Sequence, residues 1–177
     1  MRIETERLVL RLPQPRDAGA IVEYVSDPEV MRWIGGETGG RDVAAAAVER
    51  WLTCWDADGI GHFAIERKED GRVLGRVGFL VWDRRTWETS SLAEAGDDAE
   101  TELGWTLARQ FWGQGYATEA ARAARAWGHD GGGVDRLISL IAPHNVRSIR
   151  VADKLGAQPE RMIRTRLGPA IVWVHPR

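Results

Sequence analysis

The stretch QFWGQGYATEA, residues 110–120, sets two glycines, Gly113 and Gly115, one residue apart where a polar loop runs into an alanine-rich segment. Glycine loses more conformational freedom on folding than any other residue, so this pair marks a backbone that must stay bare or turn left-handed. Two explanations fit. A phosphate-bearing ligand could meet the main chain at a helix N-terminus, where free amides and the helix dipole favour negative charge. Alternatively, this is a plain strand-to-helix turn. A P-loop is excluded, because Tyr116 and Ala117 stand where lysine and a hydroxyl residue are needed. A dinucleotide fingerprint matches poorly: Thr118 replaces the third glycine, and Asp135 precedes the next apolar run instead of closing it.

The flanking segments place this motif in a fold. Upstream, ETELGWTL (100–107) alternates as a strand with Leu103, Trp105 and Leu107 on one face. Downstream, Ala117, Ala120, Ala121, Ala124 and Trp127 form the apolar stripe of a helix over 115–129. RLISLI (136–141) is almost continuously apolar, as in a strand buried on both faces. NVRSIRVADKLG (145–156) reads as a helix capped by Asn145 and ended by Gly156, and strands follow near 158–165 and 170–175. Toward the N-terminus, RLVLRL (7–12) is an opening strand, PQPRDAGAIVEYVSD one helix, GGETGG a loop and RDVAAAAVERWLTCWDA a second helix. HFAIER and VLGRVGFLVW form an antiparallel hairpin across KEDG. Residues 83–99 are charged and without period, which predicts a long loop. The pattern is that of one α/β domain over residues 1–177, built on a single mixed sheet.

Composition narrows the function classes. A chain of 177 residues suits one domain, burying roughly 70% of its unfolded surface. A net charge of −2 offers no general attraction for nucleic acid or an anionic membrane. The single cysteine, Cys54, lies among apolar residues, forms no internal disulfide and fits a reducing compartment. MRIETERLVLRL is too charged for a signal peptide, and no apolar run reaches transmembrane length, so a cytoplasmic protein is expected. The four histidines, His62, His129, His144 and His175, lack ligand spacing, and no metal is expected.

ELGWTLARQFWGQGYATEA followed by NVRSIRVADKLG resembles the GCN5-related N-acetyltransferases, specifically the branch of the ribosomal-protein alanine acetyltransferases. Gln110, Gly113 and Gly115 fill that family's pyrophosphate signature in register, and TERLVLRLPQPRDA looks like the branch's first strand and turn. The resemblance extends from about Thr5 to the last strand. It implies a mostly antiparallel mixed sheet with two splayed parallel central strands, ELGWTL and RLISLI, flanked by about four helices. Acetyl-CoA would lie in the splay, with backbone groups of Trp105 and Leu107 pairing with its pantetheine arm. The segment Trp112, Gly113, Gln114, Gly115, Tyr116 and Ala117 would hold the pyrophosphate, and Asn145 would bond the pantetheine as well as cap its helix.

The same resemblance makes Glu102 the base that deprotonates an amine acceptor, with Glu100, two residues away on the same strand face, as competitor. A backbone N–H around Leu103 to Trp105 would meet the oxyanion. Ser148, three residues after Asn145, would donate a hydrogen bond to the leaving sulfur; a CoA thiol, with a pKa of about 8.5, leaves with little help. Many family members carry a tyrosine acid where this chain has Ala152, one helical turn beyond Ser148 and expected to face the same cleft. That absence leaves a non-catalytic acetyl-CoA sensor as the alternative to an N-acyltransferase.

On the acceptor side, Trp33, Trp82 and Trp87 are candidates for an apolar wall, and Glu37, Glu88 or Asp97 for attracting a cationic amine. Arg32, Arg84 and Arg85 suit an acidic acceptor or a succinylated donor equally. The acceptor is therefore expected to be a peptide N-terminus or a small-molecule amine, and the protein a monomer or homodimer without nucleic-acid or membrane partners.

Overall fold

A computed structural model describes residues 1–177. Its strands are β1 (Arg2–Glu4), β2 (Leu8–Arg11), β3 (His62–Arg67), β4 (Val73–Asp83), β5 (Glu88–Ser90), β6 (Ala99–Leu107), β7 (Leu137–Ile141), β8 (Gln158–Thr165) and β9 (Gly168–Val174). They form one nine-stranded sheet in the order 1-2-3-4-6-7-9-8, with β5 paired to the end of β4. Every pairing is antiparallel except β6 with β7. The expected mixed sheet is thus present, with its parallel pair in the middle.

The helices are α1 (Ala18–Val25), α2 (Pro28–Ile34), α3 (Arg41–Asp58), α4 (Leu92–Ala95), α5 (Tyr116–Asp130) and α6 (Val146–Lys154). Two segments depart from the sequence expectation. A helix that was not expected, α2, follows directly on the first one: the Asp27 carboxylate caps it by accepting the Glu29 amide at 2.9 Å, and Pro28 stands at the first helical position. A proline there costs no hydrogen bond, because the N–H it lacks would have had no partner. The expected long loop at 83–99 contains β5 and α4; Ser91 and Glu94 form a reciprocal capping box that starts the short helix.

Helix α5 packs its alanine face on β4 and β6, and Trp127 joins Phe63, Phe79 and Trp55 in an aromatic cluster with centroids 4.8–5.7 Å apart. Pairing of Leu80 with Glu102 and of Arg76 with Thr106 fixes the opposite face. Because side chains alternate along a strand, Arg76, Leu80, Trp82, Glu102 and Gly104 share that second face.

Two imidazoles are buried within this frame, His62 at 3% and His175 at 5% exposure. Burial, aided by Arg125, lowers the His175 pKa to about 4, and burial drives that of His62 well below 6.5. Both fold in the neutral form, whereas the unfolded chain takes up protons near pH 6.5. Stability is therefore complete above that pH and declines as pH falls toward 4, by about 3 kcal/mol for His175 alone. Urea unfolding at stepped pH should show this decline, and His175→Gln should flatten it between pH 6.5 and 5. An unchanged slope in that variant would refute the assignment.

Candidate active site

The β6–β7 ladder consists of two register pairs, Thr101 with Leu137 and Glu102 with Ile138, and then ends. Beyond it the strands part. Ser139 Oγ donates to the Leu103 carbonyl at 2.6 Å and contacts His175 Nε2 at 2.8 Å, a side-chain strut where a backbone hydrogen bond would otherwise lie. The edge of β6 from Leu103 to Leu107 consequently faces a cleft instead of a strand. Two connected cavities occupy it, and Trp33, Ile34, Trp105, Thr106, Asn145 and Ser148 line both.

The first cavity, about 340 Å³, reaches the glycine motif. Gly113 and Gly115 have φ of 75° and 84°, the left-handed region in which only glycine is unstrained. Gly115 is the N-cap of α5 and offers no side-chain cap, and the first helical bond runs from the Glu119 amide to the Gly115 carbonyl. The amides of Tyr116, Ala117 and Thr118, all cavity-lining residues, are left without helical acceptors. The loop is braced from behind: Arg7 donates to the Gln114 carbonyl at 3.0 Å, pairs with Glu119 and lies 4.4 Å over the Tyr116 ring. On the opposite wall stand Arg147, Arg150 and Lys154 of α6, and no carboxylate lines this cavity. Its charge and free donors suit phosphate groups.

The second cavity, about 300 Å³, lies on the Glu102 side and is covered by α2 and the β8–β9 turn. Glu102 is half-buried. One carboxylate oxygen accepts Trp82 Nε1–H at 2.7 Å, and the other accepts the Leu140 amide at a long 3.4 Å, an amide freed by the splay. Burial raises the Glu102 pKa above its ordinary value, against smaller lowering effects of Trp82, Arg76 and the Leu140 amide. A carboxylate that holds its proton more tightly is a better general base near neutral pH.

The structure sorts the remaining candidates. Glu100 is buried in contact with Arg136 at 3.2 Å and Arg161 at 3.9 Å, outside both cavities. Asn145 caps α6 by accepting the Ser148 amide through Oδ1 at 3.2 Å, which leaves its Nδ2 to donate into the cleft. The Leu107 carbonyl already accepts Trp112 Nε1–H at 2.8 Å. Gln110 turns its amide to Glu23, and neither it nor Gln114 lines a cavity. Trp33 and Trp82 are wall residues, but Trp87 stacks under Arg161 away from the cleft. Glu37, Glu88, Asp97, Arg84 and Arg85 also lie outside, the two arginines being paired with Asp98 and Asp83. Ala152 does not face the cleft as expected. It is fully buried with Ile141, Ala157 and Trp173, and the cavity residue at that turn is Val151.

The splayed parallel pair carries an uncapped helix N-terminus at one end and a half-buried carboxylate at the other. A sequence model of the acetyltransferase (GNAT) domain matches residues 7–158, and the chain belongs to that family; it is an N-acetyltransferase. It is 30% identical over 162 residues to p20, an uncharacterized N-acetyltransferase of Bacillus licheniformis, covering 90% of this chain and 84% of the relative. An acetyltransferase structure from Agrobacterium tumefaciens superposes with a TM-score of 0.80 at 25% identity, covering 100% of this chain and 95% of that one. The aminoglycoside acetyltransferase AAC(6')-Ib in complex with coenzyme A shares the fold, with a TM-score of 0.72 at 21% identity over 96% of this chain and 95% of that one. No helix of this chain is long and apolar enough to cross a membrane.

Proposed function

We propose that the chain transfers acetyl from acetyl-CoA directly to a primary amine, as the ribosomal-protein branch that its motifs resemble would. One observation carries this reading: the unpaired β6 edge joins the uncapped α5 N-terminus to the half-buried Glu102. The Tyr116–Thr118 amides, with Arg147, Arg150 and Lys154, hold the phosphates, and the β6 edge with Asn145 Nδ2 orients the pantetheine arm. Glu102 takes a proton from the acceptor ammonium through a water. The neutral nitrogen then bonds to the acyl carbon, the C–S bond breaks, and the second proton of the nitrogen passes through water to the departing thiolate, which leaves as the thiol. A β6 N–H between Leu103 and Trp105 meets the oxygen on which negative charge develops. The lone cysteine is consistent with work in the cytoplasm.

Ser148 lines both cavities and its hydroxyl makes no hydrogen bond within the chain, which leaves it free for the leaving sulfur. Ser148→Ala should lower kcat by roughly 5- to 150-fold. Because serine does not titrate in the accessible range, the wild-type rate should stay level above pH 9. A fall there would mean that a residue other than Ser148 supplies a general acid. Tyr24 is excluded from that role, being buried outside both cavities with its pKa pushed up by that burial. Thiol release with acetyl-CoA across peptide N-termini, polyamines and aminoglycosides tests the activity itself. CoA binding without release from any amine would favour a sensor.

A further inference from the structure

The acceptor-side cavity has a charge that acetyl transfer alone does not require. Its lining carries three guanidinium groups, Arg32, Arg76 and Arg166, against one carboxylate, Glu102. Arg32 shares its charge with Glu29 at 3.1 Å, and Arg166 is exposed in the turn between β8 and β9. Arg76 differs from both. It is half-buried, and its near partners are all uncharged: the imidazole of His62, which burial keeps neutral, the Tyr24 hydroxyl and the Trp51 ring, 5.8 Å away. Glu102, which also lines this cavity, is turned to Trp82 and the Leu140 amide and forms no ion pair with Arg76. Withdrawing a guanidinium from water without a bonded anion is costly, and a ligand that supplies the anion recovers that cost.

The bare Cα of Gly104 marks where such a ligand fits. A methyl group placed there would lie 3.8 Å from Glu102 Oε1 and 3.9 Å from Arg76 Nη1, and no side chain fills the position. The slot thus has a proton acceptor on one side and a guanidinium on the other. An amine bearing a carboxylate a few bonds away satisfies both, its nitrogen toward Glu102 and its carboxylate toward Arg76. A cavity of about 300 Å³ suits a small molecule. A polyamine or aminoglycoside would instead bring several ammonium groups against three guanidinium groups, a repulsion of about 1 kcal/mol or more per close pair.

We infer that the acceptor is a small amino-acid-type amine whose carboxylate is anchored by Arg76, with Arg166 and Arg32 adding attraction at the rim. This rests on the acetyl-transfer reading for the amine's fate, but not for the binding of its carboxylate. The same chemistry could arrive on a dicarboxylic acyl donor, and the test separates the two sources.

Initial rates with acetyl-CoA should be measured for glycine, alanine and leucine, for their amides, for short peptides beginning with these residues, and for spermidine and kanamycin. Succinyl-CoA with the amides forms a parallel arm. The free acids should exceed their amides in kcat/KM by at least about tenfold. Arg76→Gln should lower the acid-to-amide ratio of kcat/KM about tenfold or more, a ratio in which the effect of the lost charge on Glu102 cancels, and Arg76→Lys should restore part of the preference. Arg166→Gln, at an exposed turn position with no hydrogen bond or ion pair to lose, should reduce the acid preference by a smaller factor. It decides the matter if the Arg76 variants do not fold. Preference for amides, peptides or polycations overturns the inference. So does faster succinyl transfer to amides, or an unaltered acid-to-amide ratio in an Arg76→Gln protein that binds CoA normally. Calorimetry of the same acids and amides on CoA-saturated protein separates the two readings. Carboxylate-dependent binding without thiol release sustains this inference and refutes the transfer reading; release with polycations alone does the reverse.

Discussion

Glu102→Gln should lower kcat by roughly 10²-fold or more while leaving acetyl-CoA affinity nearly intact. Glutamine keeps the shape of the side chain and can still accept Trp82 Nε1–H, so the variant loses the proton acceptor and, besides it, only the long contact to the Leu140 amide. The sign of the pH effect follows from the raised pKa. The wild-type rate should fall as pH drops through the Glu102 pKa, at a higher pH than an ordinary carboxylate of about 4.3 would give. The variant's deficit should shrink as pH rises toward the amine's own pKa, because the free amine then needs no base. Rate profiles from pH 5 to 10 measure both. A comparable loss in Glu100→Gln, with normal activity in Glu102→Gln, would move the base to the ion-paired carboxylate.

Thr118→Asp should weaken CoA binding by at least about tenfold without destabilising the fold. The substitution sets a carboxylate on the first turn of α5, facing the cavity, where the three free amides would hold phosphate. Acidic residues are favoured at helix N-termini, so the thermal midpoint should hold or rise while affinity falls. Opposite signs for stability and binding distinguish this variant from general damage. Gly115→Asp makes a poorer test, since a side chain there meets a φ of +84° and approaches Arg7 Nη2 to 3.3 Å. Calorimetric titration of CoA, beside thermal unfolding, checks the expectation; unchanged affinity would remove the phosphate assignment.

The spacing of Gly113 and Gly115 and the contrast between an alternating strand and a continuously apolar one made the sheet's centre legible, because both depend on local sequence. Local signals were also present where the expectation differed. Asp27-Pro28 is a cap followed by a first-turn proline, and Ser91 to Glu94 spells the capping box that organises the expected loop. Arg147, Arg150 and Lys154 recur three and four residues apart, on one helical face, and their bearing on phosphate could have been drawn from that spacing. Other features depend on long-range contact. Arg76 lies in an ordinary alternating strand, and only the register of β4 against β6 puts it beside Glu102 and Gly104. The Ser139–His175 strut joins residues 36 apart. Trp33, Trp82 and Trp87 were equivalent as sequence, and packing alone separated the two that line the cleft from the one that does not.

The place where the β6–β7 ladder ends has a consequence for what can enter it. A row of unpaired backbone groups at the rim of a sheet invites a second polypeptide, the first step of aggregation. Here the row lies in the interior of the sheet, bounded by β4 on one side and by β7 and β9 on the other. The gap starts from ordinary ladder contact at Glu102 and Ile138 and widens from there. A foreign strand would need room for side chains above and below, whereas an unbranched chain with amide groups and no side chains needs almost none. The wedge therefore favours a slender, linear ligand over an added polypeptide strand, so the gap in the sheet does not act as the exposed edge that aggregation requires.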